Sequence, residues 1–212
     1  MPLSRFLLAA LVACAPAVFS QGFEASVSGG ESYIPSKSAN IGTVTSDITS
    51  GTYQLKDGFR IALRMTLNQW RFMGHEIGYA YNHTSLDSPA SALSTGGISL
   101  PGNTSAPTNS GLAAHQGFYD FLVYATPEGS HVRPFGCAGV QFTSFSPAGS
   151  YARETKYGIN YGGGIKFKIK EPWGFRLDLR QYNMSKPFNS SLPNSTGRLL
   201  LYEFGVGISF MM

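Results

Sequence analysis

The residues best placed to do chemistry are charged ones spaced two apart. Arg176, Asp178 and Arg180 alternate with Phe175, Leu177 and Leu179. In an extended strand, positions i, i+2 and i+4 point to one side, so these three ionisable groups share a face. Arg60 and Arg64, Glu76, Asp120, Arg133, Lys166 and Lys168, and Glu203 occupy the corresponding face of other alternating segments. Such a set predicts ion pairing in an enclosed space, because an unpaired charge there would cost several kcal/mol. Catalytic and ligand-binding patterns are thin. His83-Thr84-Ser85 places a base beside a hydroxyl, but no orienting carboxylate is evident in the sequence. His75, His83, His115 and His131 lack metal-ligand spacing. Gly162-Gly163-Gly164 is followed by neither a helix nor a Lys-Ser/Thr pair, so it is not a phosphate loop. Asn-x-Ser/Thr sequences at Asn82, Asn103, Asn183, Asn189 and Asn194 follow from composition, and Cys137 reads as a small strand residue. No cofactor and no metal site are expected.

The elements that position these charges are strands. Phe59, Ile61, Leu63, Met65 and Leu67 alternate with Arg60, Ala62, Arg64 and Thr66. The same period of two runs through Met73–Tyr81, 115–125, 132–143, 156–168, 173–182 and 199–210, with a short first strand at Gly22–Ser28. Phe118, Leu122 and Tyr124 blur the alternation in the 115–125 segment. The count is eight strands of roughly ten residues and no long helix. The connections, near 29–57, 69–72, 83–114, 126–131, 144–156, 169–172 and 183–198, alternate long and short. A transmembrane barrel sorts its connections in this way, with short periplasmic turns, long external loops and both termini inside.

Composition agrees. Of 212 residues only 13% are charged, against ~25% in ordinary soluble domains. Aromatics also make up 13%, and mean hydropathy is close to zero. A disordered chain would have fewer aromatics. A net charge of +4 is too small and too dispersed for a nucleic-acid binder. Glycines lie beside the charges, at Gly74, Gly78, Gly158, Gly162, Gly164, Gly205 and Gly207, as a crowded narrow lumen requires. The opposite faces carry large apolar residues, with Trp173 and Tyr157 near strand ends, as lipid-facing girdles do.

The first twenty residues are an expected secretory signal peptide: Arg5, an apolar run from Phe6 to Ala13, then Val18 and Ser20 at −3 and −1 before Gln21. Leu11-Val12-Ala13-Cys14 also fits a lipobox, so lipidation of Cys14 stays open. Residues 21–212 would form the barrel domain. Cleavage before Gln21 would lower the net charge to +3 and leave Cys137 alone, without an intramolecular disulfide. The fold class expected is all-β: an eight-stranded antiparallel up-and-down transmembrane β-barrel.

Two segments carry a family resemblance. Tyr202, Phe204, Val206, Ile208 and Phe210 alternate toward the C-terminus and resemble the assembly signal of bacterial outer-membrane barrels. Gly158–Lys166 followed by Phe175–Arg180 resembles the penultimate hairpin of small OmpA-like outer-membrane β-barrel proteins. The resemblance implies outer-membrane lipid and the barrel-assembly machinery as partners, a monomer, and loops facing the medium for an unknown extracellular ligand. It implies a structural or surface-interaction role. A narrow ion or solute channel is an alternative, suggested by the excess of lumenal Arg and Lys. Some barrels of this size modify lipid A with a His/Ser pair and a carboxylate, for which His83 and Ser85 are the candidates here.

Overall fold

A computed structural model describes residues 22–45, 50–87, 109–147, 153–188 and 195–212. The leader with Cys14, and Asn103, Asn189 and Asn194, lie outside them. In chain order the elements are β1 (Gly22–Tyr33), a single helical turn α1 (Ser36–Ala39), β2 (Asn40–Thr45), β3 (Ser50–Leu55), β4 (Gly58–Trp70), β5 (Met73–Asp87), β6 (Asn109–Tyr124), β7 (Val132–Pro147), β8 (Glu154–Lys170), β9 (Trp173–Ser185) and β10 (Arg198–Met211). No helix among the described residues is long and apolar enough to cross a membrane.

Every pairing is antiparallel, and β1 pairs with β10 while β5 pairs with β6, which closes the sheet. The closed wall is β1-β4-β5-β6-β7-β8-β9-β10, eight strands. The register can be followed from Gly22 through Asn68, Gly74, Leu122, Cys137, Gly162, Arg180 and Glu203. It returns to β1 at Ser32, ten residues beyond its start. With ordinary strand spacing and rise, that stagger sets a tilt of about 40° and a backbone radius of about 8 Å. A cylinder so narrow is filled by its own side chains.

The alternation predicts the two faces. Phe59, Ile61, Leu63 and Met65, with Ile77, Tyr79, Tyr119, Ile159, Leu179, Phe204 and Ile208, are exposed on the outer wall, while the charges point inward. Trp70, Phe72 and Trp173 ring the end that holds both termini, and Tyr33, Phe59, Phe142 and Tyr157 ring the other. An apolar band between aromatic girdles is what lipid requires.

The structure departs from the sequence pattern at three places. Segment 29–57 is not a plain loop: it finishes β1, makes α1, and forms the β2–β3 hairpin, whose Gln54 and Leu55 pair with Asp87 and Leu86 of β5. Strands β5 to β8 run beyond the expected alternation, and the 144–156 connection shrinks to 148–153. Its length no longer distinguishes it from the turn at 125–131; the extra residues build wall instead. Lys168 does not enter the lumen. It lies at the β8–β9 turn bonded to Glu171, and this hydrogen bond holds the exposed carboxyl below its ordinary range.

The small residues have a sharper role than mere space. A Cβ on Gly162 would lie 2.2 Å from the Leu179 carbonyl oxygen and 2.7 Å from the Arg180 Cα. Those are backbone atoms and cannot swing aside. On Gly136, whose position faces outward, the nearest atom would be 3.9 Å away. Gly162→Ala is therefore expected to reduce the folded, heat-shifted fraction on gels strongly, and Gly136→Ala to leave it unchanged; equal behaviour would contradict the packing described.

Candidate functional site

The lumen is stacked in layers. Nearest the termini, Lys166 pairs with Glu24 at 2.6 Å and donates to the Tyr124 hydroxyl at 3.1 Å. The Arg133 guanidinium lies 3.7 Å from the centre of the Tyr124 ring. Glu24 joins the network although it stands outside the charged set read from the sequence. The segment Phe23–Ser28 alternates, and Glu24, Ser26 and Ser28 all turn inward and are buried.

Glu76 is the hub of the next layer. It takes two hydrogen bonds from Arg176, at 2.6 and 3.1 Å, one from Arg180 at 2.6 Å and one from Thr66 at 2.9 Å, with Arg64 Nε 3.5 Å away. Asp178 accepts from Arg176 at 2.6 and 2.8 Å. Asp120 pairs with Arg180 and accepts from Asn160. Above this, Arg60 pairs with Glu203 and donates to Gln116 and to the Tyr182 hydroxyl, each at 3.1 Å. Asn82 links Glu203 to Ser32.

The structure thus brings together Arg60, Arg64, Glu76, Asp120, Lys166, Arg176, Asp178, Arg180 and Glu203, all buried. With Glu24 and Arg133 added, six buried cations face five buried carboxylates among the described residues. The cationic excess expected from sequence is nearly gone. The blurred residues explain how the remainder is held. Phe118 points inward, and the guanidiniums of Arg60, Arg64 and Arg180 lie 5.9, 5.7 and 5.2 Å from its ring centre. Phe135 takes Arg176 at 5.1 Å. Aromatic faces attract cations by ~0.5–2 kcal/mol each, so these rings share the positive charge.

Toward the long-loop end the interior changes character. Ile34, Ala39, Ile41, Tyr53, Leu55, Leu86, Leu112, Ala114, Phe145, Met184, Phe188, Leu199 and Leu201 form one buried apolar cluster over the charges, together with Tyr182. The alternation predicts a polar lumen throughout, and the structure differs at this end. Here α1 and the β2–β3 hairpin supply apolar side chains that fill the mouth, as in a water-soluble core. A space of about 20 Å³ beside Ser32, Asn82 and Thr143 marks the junction, enough for one water.

Cys137 is buried in this lumen and unpaired. It should resist maleimide in the folded protein and react after boiling in detergent; labelling before boiling would mean an open lumen. On the outer wall, Nδ1 of His75 lies 2.7 Å from the Tyr119 hydroxyl and its Nε2 lies 3.0 Å from Gln69 Oε1. His115 Nδ1 lies 2.6 Å from the Tyr79 hydroxyl. His131 sits at the 125–131 turn, where its carbonyl accepts from the Lys168 backbone. No metal-binding cluster exists among the described residues. His83 and Ser85 line an open outer depression with Asp57, Phe59 and Gly111, where Oδ1 of Asp57 accepts from the Ile34 backbone N–H at 2.7 Å.

A sequence profile described as the outer membrane protein beta-barrel domain matches residues 6–210. The chain belongs to that family. Its members' barrel is the wall described above, and the bacterial outer membrane is where the protein resides. No curated protein matches it by sequence. Among solved structures, OprG from Pseudomonas aeruginosa is similar over 91% of this chain and 97% of its own, at 13% identity and a TM-score of 0.59. Neisserial surface protein A follows at 11% identity and 0.53, over 90% and 96%. Ail of Yersinia pestis matches over 91% and 99%, at 10% identity and 0.50. At these identities the likeness is one of fold. The terminal positions Tyr202, Phe204, Val206 and Ile208 of this family member face outward on β10, next to β1 across the closing seam.

Proposed function

We propose that this outer-membrane barrel works at the cell surface and not through its lumen. The observation that supports this is the double filling of the interior: a nearly neutral ion-pair network through the membrane and an apolar plug above it. A channel would need a continuous wet path, and a lumen filled by paired charges and then by apolar side chains argues against one. The functional part is then the extracellular crown and its Ser/Thr/Gly/Asn-rich connections, which can vary without disturbing the barrel. Partner lipid, passage through the assembly machinery by way of Tyr202–Phe210, and a monomeric state belong to the same reading.

Complementation tests it. Residues 88–108 and 189–194 are replaced by short Gly-Ser turns, and the chain is expressed in a deletion strain. The trimmed chain should still show the heat-dependent gel shift and fail to restore surface phenotypes. Full restoration would refute a role for the loops.

A second reading, lipid A modification, has one observation behind it: His83, Ser85 and Asp57 share a depression above the lipid-facing girdle. Replacing His83 and Ser85 together by alanine is expected to leave lipid A mass spectra unchanged. A lost modification would establish the enzymatic reading instead.

A further inference from the structure

The charges of the crown are unevenly distributed. On the β1–β5 side, Lys37 and Lys56 are offset by Glu31, Asp57 and Asp87, with Lys56 and Asp87 paired at 2.8 Å. On the β8–β10 side, Arg153, Lys156, Lys186 and Arg198 face Glu154 among the described crown residues, while Glu31 lies lower on the outer wall beside Tyr202. Glu154 is already engaged, by Lys156 at 2.6 Å and by the Phe188 backbone N–H.

One of these cations, Arg198, is aimed at the membrane boundary. Arg198 begins β10 on its outer face, opposite Ser185. Its Nε donates to Oδ1 of Asn183, two residues nearer the membrane on β9, so the side chain runs down the outer wall. The guanidinium is held above the outward Gln181 and Tyr202, with strongly exposed Tyr157 on neighbouring β8. Lys186 is half-buried close by in the chain's fold: its Cε lies 3.9 Å from where a Cβ would stand on Gly197, the residue before Arg198. Neither Arg198 nor Lys186 has an ion-pair partner among the described residues. A cation that leaves a solvent-facing position to lie along a membrane boundary meets lipid headgroups, and a guanidinium fixed through Nε presents its two remaining nitrogens to a phosphate as a fork, with the ammonium of a nearby lysine able to add a second contact.

We infer that Arg198 and Lys186, positioned by Asn183, form a binding site on the outer wall for a phosphate group of the phosphorylated glycolipid of the outer leaflet, lipid A. Tyr157 and Tyr202 border the site on the membrane side, where the sugar and the first acyl carbons would lie. The site is independent of what the loops bind, and its failure would leave the surface reading standing.

The test uses the full folded chain in detergent with native mass spectrometry. The probes are diphosphoryl lipid A, dephosphorylated lipid A and phosphatidylcholine. Wild type should retain diphosphoryl lipid A at least about tenfold better than the other two, a factor in the range of one or two charge-assisted phosphate contacts. Arg198→Gln with Lys186→Gln should reduce this to the phosphatidylcholine level with the heat-dependent gel shift intact. Lys37→Gln with Lys56→Gln, on the opposite side, should bind as wild type does. Equal retention by the Arg198/Lys186 variant would overturn the site, as would equal loss in the Lys37/Lys56 variant. Displacement of the lipid by millimolar inorganic phosphate would also overturn it, since a soluble anion would then suffice.

Discussion

Glu76→Ala is expected to destabilise the barrel by about 3–5 kcal/mol, the cost typical of breaking a buried ion pair from one side. The carboxylate is wholly buried and takes hydrogen bonds from Arg176 and Arg180, with Arg64 at 3.5 Å. Removing it leaves three desolvated guanidiniums around a vacant centre, with Asp178 and Asp120 already engaged. Glu76→Gln keeps the shape and loses the charge, so it should destabilise less but in the same direction. The measurement is the urea midpoint of refolded protein in lipid vesicles, read by the heat-dependent gel shift. Glu171→Ala is the control: its partner Lys168 lies at a solvent-exposed turn, so the midpoint should not move. An unchanged midpoint for Glu76→Ala would mean that the lumen admits water freely.

Leu86→Ala and Leu112→Ala should each cost about 2–5 kcal/mol, as large-to-small changes in packed cores do. Both side chains are wholly buried in the apolar plug, on paired strands of the crown. The effect should be regional. Amide exchange should quicken where β3 meets β5, at residues 54–55 and 86–87, and along 110–114. The belt at 61–65, paired on both sides within the lipid band, should stay protected. Uniform acceleration would show that crown and belt unfold as one unit.

The regional effect follows from a division that the sequence reveals only in part. Ile61, Leu63 and Met65 announce their orientation because lipid and lumen demand opposite polarity from alternate residues, and the same demand repeats around the wall. That logic ends at the membrane boundary. In the crown, solvent replaces lipid outside and an apolar cluster replaces the charges inside. Leu199, Leu200 and Leu201 thus read as one run although Leu199 and Leu201 point in and Leu200 points out. The β2–β3 hairpin is built largely from Thr, Ser and Gly, so its composition is that of a loop, and only pairing with β5 attaches it to the barrel. Phe118 breaks the alternation because the lumen is not purely polar. Its place among three guanidiniums is a matter of three-dimensional packing, not of period. Glu24 was legible, since Glu24, Ser26 and Ser28 alternate against Phe23, Ala25 and Val27. Its partner Lys166 is brought to it only by barrel closure.

The most direct test of the filled interior is electrical. Purified protein, shown by the heat-dependent gel shift to be folded, is inserted into planar bilayers bathed in molar KCl. The account predicts no discrete conductance steps across the usual range of applied voltage. Reproducible steps from the unmodified chain, altered in ion selectivity by Arg60→Gln or Lys166→Gln, would contradict it.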